Sequence, residues 1–154
     1  MLFRTHIAFG IFIYLLIMSY VDSKIIFFVF LLLGVVITDI DSRKSKVGKK
    51  WYFRPFQWAV RHRGVFHSLI CGLALSIIIT IFHRWAGIGF FIGYLSHLLL
   101  DCLTRQGIKL FWPFSKWRIK GPVRSGKITE DIIFVLLLLA DIFIVGKMVF
   151  YYLF

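Results

Sequence analysis

Five apolar runs dominate the chain: Ile7–Val21, Ile25–Ile37, Gly64–Phe82, Ala86–Leu103 and Ile132–Phe154. An α-helix rises ~1.5 Å per residue, so ~20 residues cross the ~30 Å hydrocarbon core of a bilayer. The last three runs have 19, 18 and 23 residues and meet that length. The first two have 15 and 13. They reach it only if Leu2–Phe3 and the Thr38–Ile40 edge join them, which draws His6 and Asp39 to headgroup depth. Lipid offers peptide groups no hydrogen-bond partner, so runs of this kind must satisfy their own backbone as helices. A hydrophobic content of 60% and a mean hydropathy of +0.86 exclude an ordinary soluble domain of 154 residues. The expected fold is all-α, a polytopic bundle of about five helices forming a single membrane-embedded domain over residues 1–154.

The charges orient this bundle. Thr38–Arg63 carries eight Lys and Arg and Thr104–Thr129 carries seven, whereas the opposite turns hold only Lys24 and Arg84. The positive-inside rule therefore predicts that both long loops and the N-terminus face the cytoplasm. No small-residue cleavage pattern follows Met1–Tyr20, so a retained first helix is expected rather than a signal peptide. The net charge of +12 brings no recognisable nucleic-acid motif with it. Membrane lipid, with its anionic headgroups, is the expected partner, and no nucleic acid is. Cys71 and Cys102 lie inside apolar runs without metal-type spacing and read as small packed side chains.

On that topology, four of the five histidines and five of the seven acidic residues fall at the same ends of the helices. They are His6, His62, His67 and His97 with Asp39, Asp41, Asp101, Glu130 and Asp131. Ionisable groups near lipid are costly and are kept for function. A mixed His/carboxylate set is a metal site in its chemistry, and zinc suits those ligands. The other face receives only His83 and Asp22, which read as solvated turn residues.

His97-x-x-x-Asp101 is the strongest local signal. Residues four apart share a helical face about 6 Å apart, so one ion can take both side chains, or Asp101 can orient the His97 ring. His62 and His67 differ by about 140° on a regular helix. Gly64 can start helix 3 and let them approach one point from loop and helix, and Arg63 between them suits a phosphate oxygen. Asp39 and Asp41 end helix 2, where the helix dipole disfavours carboxylates unless a cation compensates. Glu130 has two readings, a ligand or an acid favoured in the first turn of a helix capped by Thr129. Gly121–Lys127 mimics a phosphate-binding loop but lacks the hydroxyl after the lysine, where Ile128 stands. Asp141 lies ~15 Å along helix 5 from Asp131, near mid-membrane, and is the feature that favours transport.

Several of these residues stand in one ordered set: Thr5-His6, Asp39-Ile-Asp41, His62-Arg-Gly-x-x-His67-Ser, Gly93-Tyr-x-Ser-His97-x-x-x-Asp101-x-x-Thr104-x-x-Gly107, Trp112-Pro113 and Pro122-Val-Arg124-Ser-Gly126 with Glu130. That set resembles the YdjM-like inner-membrane proteins, described as membrane-bound metal-dependent hydrolases. Thr38 departs from the family pattern, which usually has a proline there. The family is in turn distantly similar to zinc-dependent phospholipase C. By that likeness His97 and Asp101 would be zinc ligands, joined by His6, Asp39, His67 and Glu130.

The expected function is metal-assisted hydrolysis of a phospholipid, another phosphate ester or an ester at the cytoplasmic interface. The candidate metal ligands are His6, Asp39, His62, His67, His97 and Asp101. Together they exceed the three protein ligands of a single catalytic zinc, which implies two or more ions. Asp41 or Glu130 would be the general base, and Arg63 and Arg124 would hold an anionic headgroup. A metal or proton transporter and a non-catalytic zinc-binding membrane protein are the competing expectations.

Overall fold

The computed structural model describes residues 1–38 and 67–153. Among them are five α-helices: α1 Phe3–Ile17, α2 Lys24–Ile37, α3 Leu69–Phe82, α4 Arg84–Cys102 and α5 Ile128–Leu153. A 3-10 turn, Met18–Tyr20, prolongs α1. Among the described residues there is no β-strand, only the isolated bridges Thr104–Val123 and Ile108–Ile119. The fold is all-α, as expected.

Three of these helices are long and apolar enough to cross a membrane: Phe3–Tyr20 with its 3-10 turn (18 residues), Arg84–Cys102 (19) and Ile128–Tyr151 (24). Two boundaries differ from the sequence expectation. Helix α3 starts at Leu69, not Gly64, and has 14 residues. Ser68 sets that start from an extended backbone, its Oγ accepting the Cys71 N–H at 3.3 Å. His67 therefore precedes the helix instead of lying on it. Helix α5 starts at Ile128, four residues before Ile132, because Glu130 and Asp131 belong to its first turn, where acids are favoured.

Helix α4 is the centre of the bundle. Its Phe90, Tyr94 and Leu98 are buried with Ile108, while Phe27, Leu31 and Val35 of α2 form a second buried cluster. Glycines bring α2 and α4 together backbone to backbone. A Cβ on Gly89 would stand 2.5 Å from the Phe27 carbonyl oxygen, and one on Gly93 would stand 1.9 Å from that of Leu31. Both helices advance by four residues between these contacts, so the next rung pairs Val35 with His97. Because the paired numbers rise together, α2 and α4 run in the same direction. On the far side of α4, Tyr94 packs on Gly72 of α3 and its hydroxyl donates to the Ser68 carbonyl at 3.2 Å.

Helix α5 packs on α1 and otherwise presents apolar side chains outward, among them Leu136, Leu139, Ile142 and Phe143. That surface suits lipid. Its start lies beside the start of α1, where Arg4 pairs with Asp131 and the Leu2 N–H donates to Glu130. The starts of α1, α3 and α5 and the end of α4 therefore share one end of the bundle.

Candidate metal centre

At that shared end three buried histidines surround one buried carboxylate. His6 comes from α1, His67 from the turn before α3, and His97 and Asp101 from the last turns of α4. Each is at most 3% exposed. His6 Nε2 lies 3.4 Å from Asp101 Oδ1, and His67 Nε2 and His97 Nε2 lie 3.7 and 4.0 Å from Oδ2. The His6 ring stacks on His97 with centroids 3.7 Å apart and planes within 5°, and His67 meets His97 edge-on at 5.7 Å. The expected i,i+4 proximity of His97 and Asp101 is present.

The glycine-spaced register of α2 and α4 determines how His97 is held. Its Nδ1 lies 2.8 Å from the Val35 carbonyl oxygen. A carbonyl only accepts, so Nδ1 carries the proton and a neutral ring turns its Nε2 lone pair toward Asp101. This is the backbone support commonly given to a metal-ligating histidine. His97 Nε2 and His6 Nδ1 are buried and have no hydrogen-bond partner among the described residues. One ligand atom each from His6, His97 and Asp101 lies within 4.8 Å of the others. A positive group already rests on the carboxylate, since the Met1 ammonium donates to Asp101 Oδ1 at 2.6 Å. Imidazole nitrogens lacking partners, beside a carboxylate that attracts a cation, form a donor set that fits zinc.

Glu130 is fully buried as well. Its Oε1 accepts from the Leu2 N–H and from Thr5 Oγ1 (3.1 Å), and its Oε2 accepts from the Gly126 N–H at 2.6 Å. Both oxygens thus tie the start of α1, next to His6, to the loop that precedes α5. Arg124 is exposed on that loop. Asp39, Asp41, His62 and Arg63 lie outside the described residues. At the other end of the bundle Asp22 is exposed, and His83 caps α4 by accepting the Ala86 N–H on Nδ1 at 3.3 Å.

Sequence reasoning missed the Val35 carbonyl and the Met1 ammonium. Neither belongs to a distinctive side chain. The four-residue spacing of Gly89 and Gly93 ahead of His97 is the one signal that could have pointed to the first.

The family model for the YdjM inner membrane protein matches residues 1–153. Inner membrane protein YdjM of Escherichia coli (strain K12) is 38% identical over 101 residues, covering 60% of this chain and 51% of the relative. The Shigella flexneri protein of the same name gives the same figures. YvsG of Bacillus subtilis (strain 168) is 32% identical over 114 residues, covering 70% of this chain and 71% of that protein. The chain spans about half the length of the YdjM relatives it matches. No solved structure matches it. From its first helix to its last, the chain belongs to the YdjM inner membrane protein family.

Proposed function

We propose that this chain is a multi-pass, membrane-bound, metal-dependent hydrolase with a cytoplasmic N-terminus, acting on a phospholipid or another phosphate ester or ester at the cytoplasmic interface. One observation carries the reading: buried His6, His67 and His97 converge on Asp101 from three separate elements, and two of the ring nitrogens lack partners among the described residues. Burying such groups without a compensating ligand is costly.

In this reading His6, His67, His97 and Asp101 hold zinc, and Asp39 and His62 complete a set large enough for two or more ions. Zinc supplies Lewis acidity toward a phosphoryl or acyl centre and acidifies water at neutral pH. The Val35 carbonyl keeps the proton of His97 on Nδ1, so Nε2 remains a ligand. Asp41 or Glu130 is the general base in this reading, and Glu130 already accepts from three donors with its two oxygens, which favours Asp41. Arg63 and Arg124 hold the anionic part of the substrate.

Metal analysis of the detergent-purified protein, followed by a hydrolysis screen over lipids, phosphodiesters and esters, tests this. His97→Ala and Asp101→Ala should lose metal and turnover together, whereas Asp41→Asn should keep metal and lose turnover. Chelator-resistant hydrolysis, or full turnover in Asp101→Ala, rejects the mechanism. Bound zinc with no hydrolysis of any class moves the assignment to non-catalytic zinc binding. Asp141, 8% exposed with Oδ1 lacking a partner among the described residues, is the observation that favours a transporter. Zinc flux into proteoliposomes that depends on Asp141 would replace the hydrolase reading.

A further inference from the structure

The segment between α4 and α5 is folded onto the end of α4. The Arg105 N–H donates to the Val123 carbonyl (2.8 Å), the Val123 N–H to Leu103 (3.0 Å) and the Gly121 N–H to Thr104 (3.0 Å). The Thr104–Val123 bridge sets Arg105 and Arg124, the residues that follow each partner, side by side. Beside them is an open groove of about 460 Å³ lined by Arg105, Pro122, Arg124, Lys127, Ile128 and Thr129, all of them exposed.

Three side chains of this lining are cationic and none is acidic. The two carboxylates that follow in α5 are engaged elsewhere, Asp131 by Arg4 and Glu130 by Leu2, Thr5 and Gly126. Arg105 Nε donates to the Pro122 carbonyl at 3.4 Å, which holds that guanidinium at the groove wall. Arginine forks match the oxygens of a phosphate, and the lysine adds a point charge. The position adds a second constraint. Ile128, exposed in the lining, is also the first residue of the membrane-length helix Ile128–Tyr151, and Phe114 and Trp117 are exposed on the same folded segment. Aromatic residues at the end of a span belong at headgroup level.

We propose that the open Arg105–Arg124–Lys127 groove binds a phosphate-bearing anion, presented by the headgroup of an anionic phospholipid. The charge balance selects a phosphomonoester or an uncharged-alcohol diester, because the ammonium of a choline headgroup would meet the same three cations. The assignment rests on the start of α5 lying at the membrane interface. It shares Arg124 with the hydrolase reading, where that side chain holds substrate, but it needs neither metal nor turnover, so loss of lipid binding and loss of hydrolysis are read separately.

The test uses the full chain in detergent micelles, titrated with short-chain phosphatidic acid, short-chain phosphatidylcholine or inorganic phosphate, with bound ligand read by native mass spectrometry. Phosphatidic acid should bind, and phosphatidylcholine should bind at least about tenfold more weakly. Arg105→Gln, Arg124→Gln and Lys127→Gln should each weaken phosphatidic acid about fivefold, the triple variant should abolish binding, and Arg124→Lys should recover part of the single loss. Arg84→Gln, at the other end of α4, should leave binding unchanged. His97→Ala should still bind the lipid with its metal gone, which separates lipid binding from metal binding. Binding that survives the triple variant, or that falls equally in Arg84→Gln, overturns the proposal. Inorganic phosphate binding as tightly as phosphatidic acid, with the same dependence on the three cations, assigns the groove to free phosphate and overturns the lipid.

Discussion

Replacing Gly93 by alanine should damage the metal centre although the nearest atoms its Cβ would meet belong to Leu31, not to any ligand. A Cβ at this position would lie 1.9 Å from the Leu31 carbonyl oxygen, against about 3.4 Å for an ordinary contact. Relieving the overlap requires α2 and α4 to separate by ~1.5 Å, since the obstacle is backbone and cannot rotate away. One turn further along, the same separation stretches the His97 Nδ1–Val35 O bond from 2.8 Å to beyond hydrogen-bonding range. The ring then loses the contact that keeps its Nε2 toward Asp101. Loss of such a supporting hydrogen bond lowers metal affinity about 10–100-fold, and overpacking costs about 1–3 kcal/mol of stability. Zinc affinity measured against a competing chelator, together with thermal unfolding in the same detergent, reads both effects. Gly146→Ala is the control, because nothing lies within 4 Å of a Cβ there. Wild-type zinc affinity and melting temperature in Gly93→Ala would falsify the claim that helix spacing positions His97.

Glu130→Ala leaves the Leu2 N–H, Thr5 Oγ1 and Gly126 N–H without their acceptor and should destabilise the protein by about 2 kcal/mol or more. Glu130→Gln keeps one acceptor oxygen and should cost less; equal melting temperatures for wild type and Glu130→Ala would contradict this role. Single cysteines placed between residues 43 and 50 and between 116 and 120 should both label from the cytoplasm, because the basic residues concentrate there. Labelling from opposite sides would break the proposed topology.

Much of the bundle was legible because hydropathy and length act on whole helices. Alternating helix direction alone brings the starts of α1, α3 and α5 to the end of α4, and so brings His6 and His67 to His97 and Asp101. The i,i+4 spacing of His97 and Asp101 needed only helical geometry. Less legible was what each polar side chain does on arrival. Both readings of Glu130 began from its place in the first turn of α5, but its three donors come from α1 and from Gly126, which no local pattern indicates. The apolar run puts the start of α3 too early because Val65 and Phe66 continue it, whereas the Ser68 hydroxyl marks the start at Leu69. The Val35 carbonyl carries no sequence signature, since every residue has one.

Helix α3 has a further consequence for the bilayer itself. Bounded by Ser68 and the turn at His83, its 14 residues span ~21 Å, against a hydrocarbon core of ~30 Å. A bilayer crossed by this face would have to thin to match it, at a cost of a fraction of a kcal/mol per Å. The thinning would be local to the helix that begins two residues after His67. Under the proposed hydrolase reading, it would lower acyl-ester and phosphate groups toward the depth of the His67–Asp101 pair. A short helix in this position would then act as a depression in the membrane surface, bringing the polar part of a lipid nearer the cluster without any helix having to move.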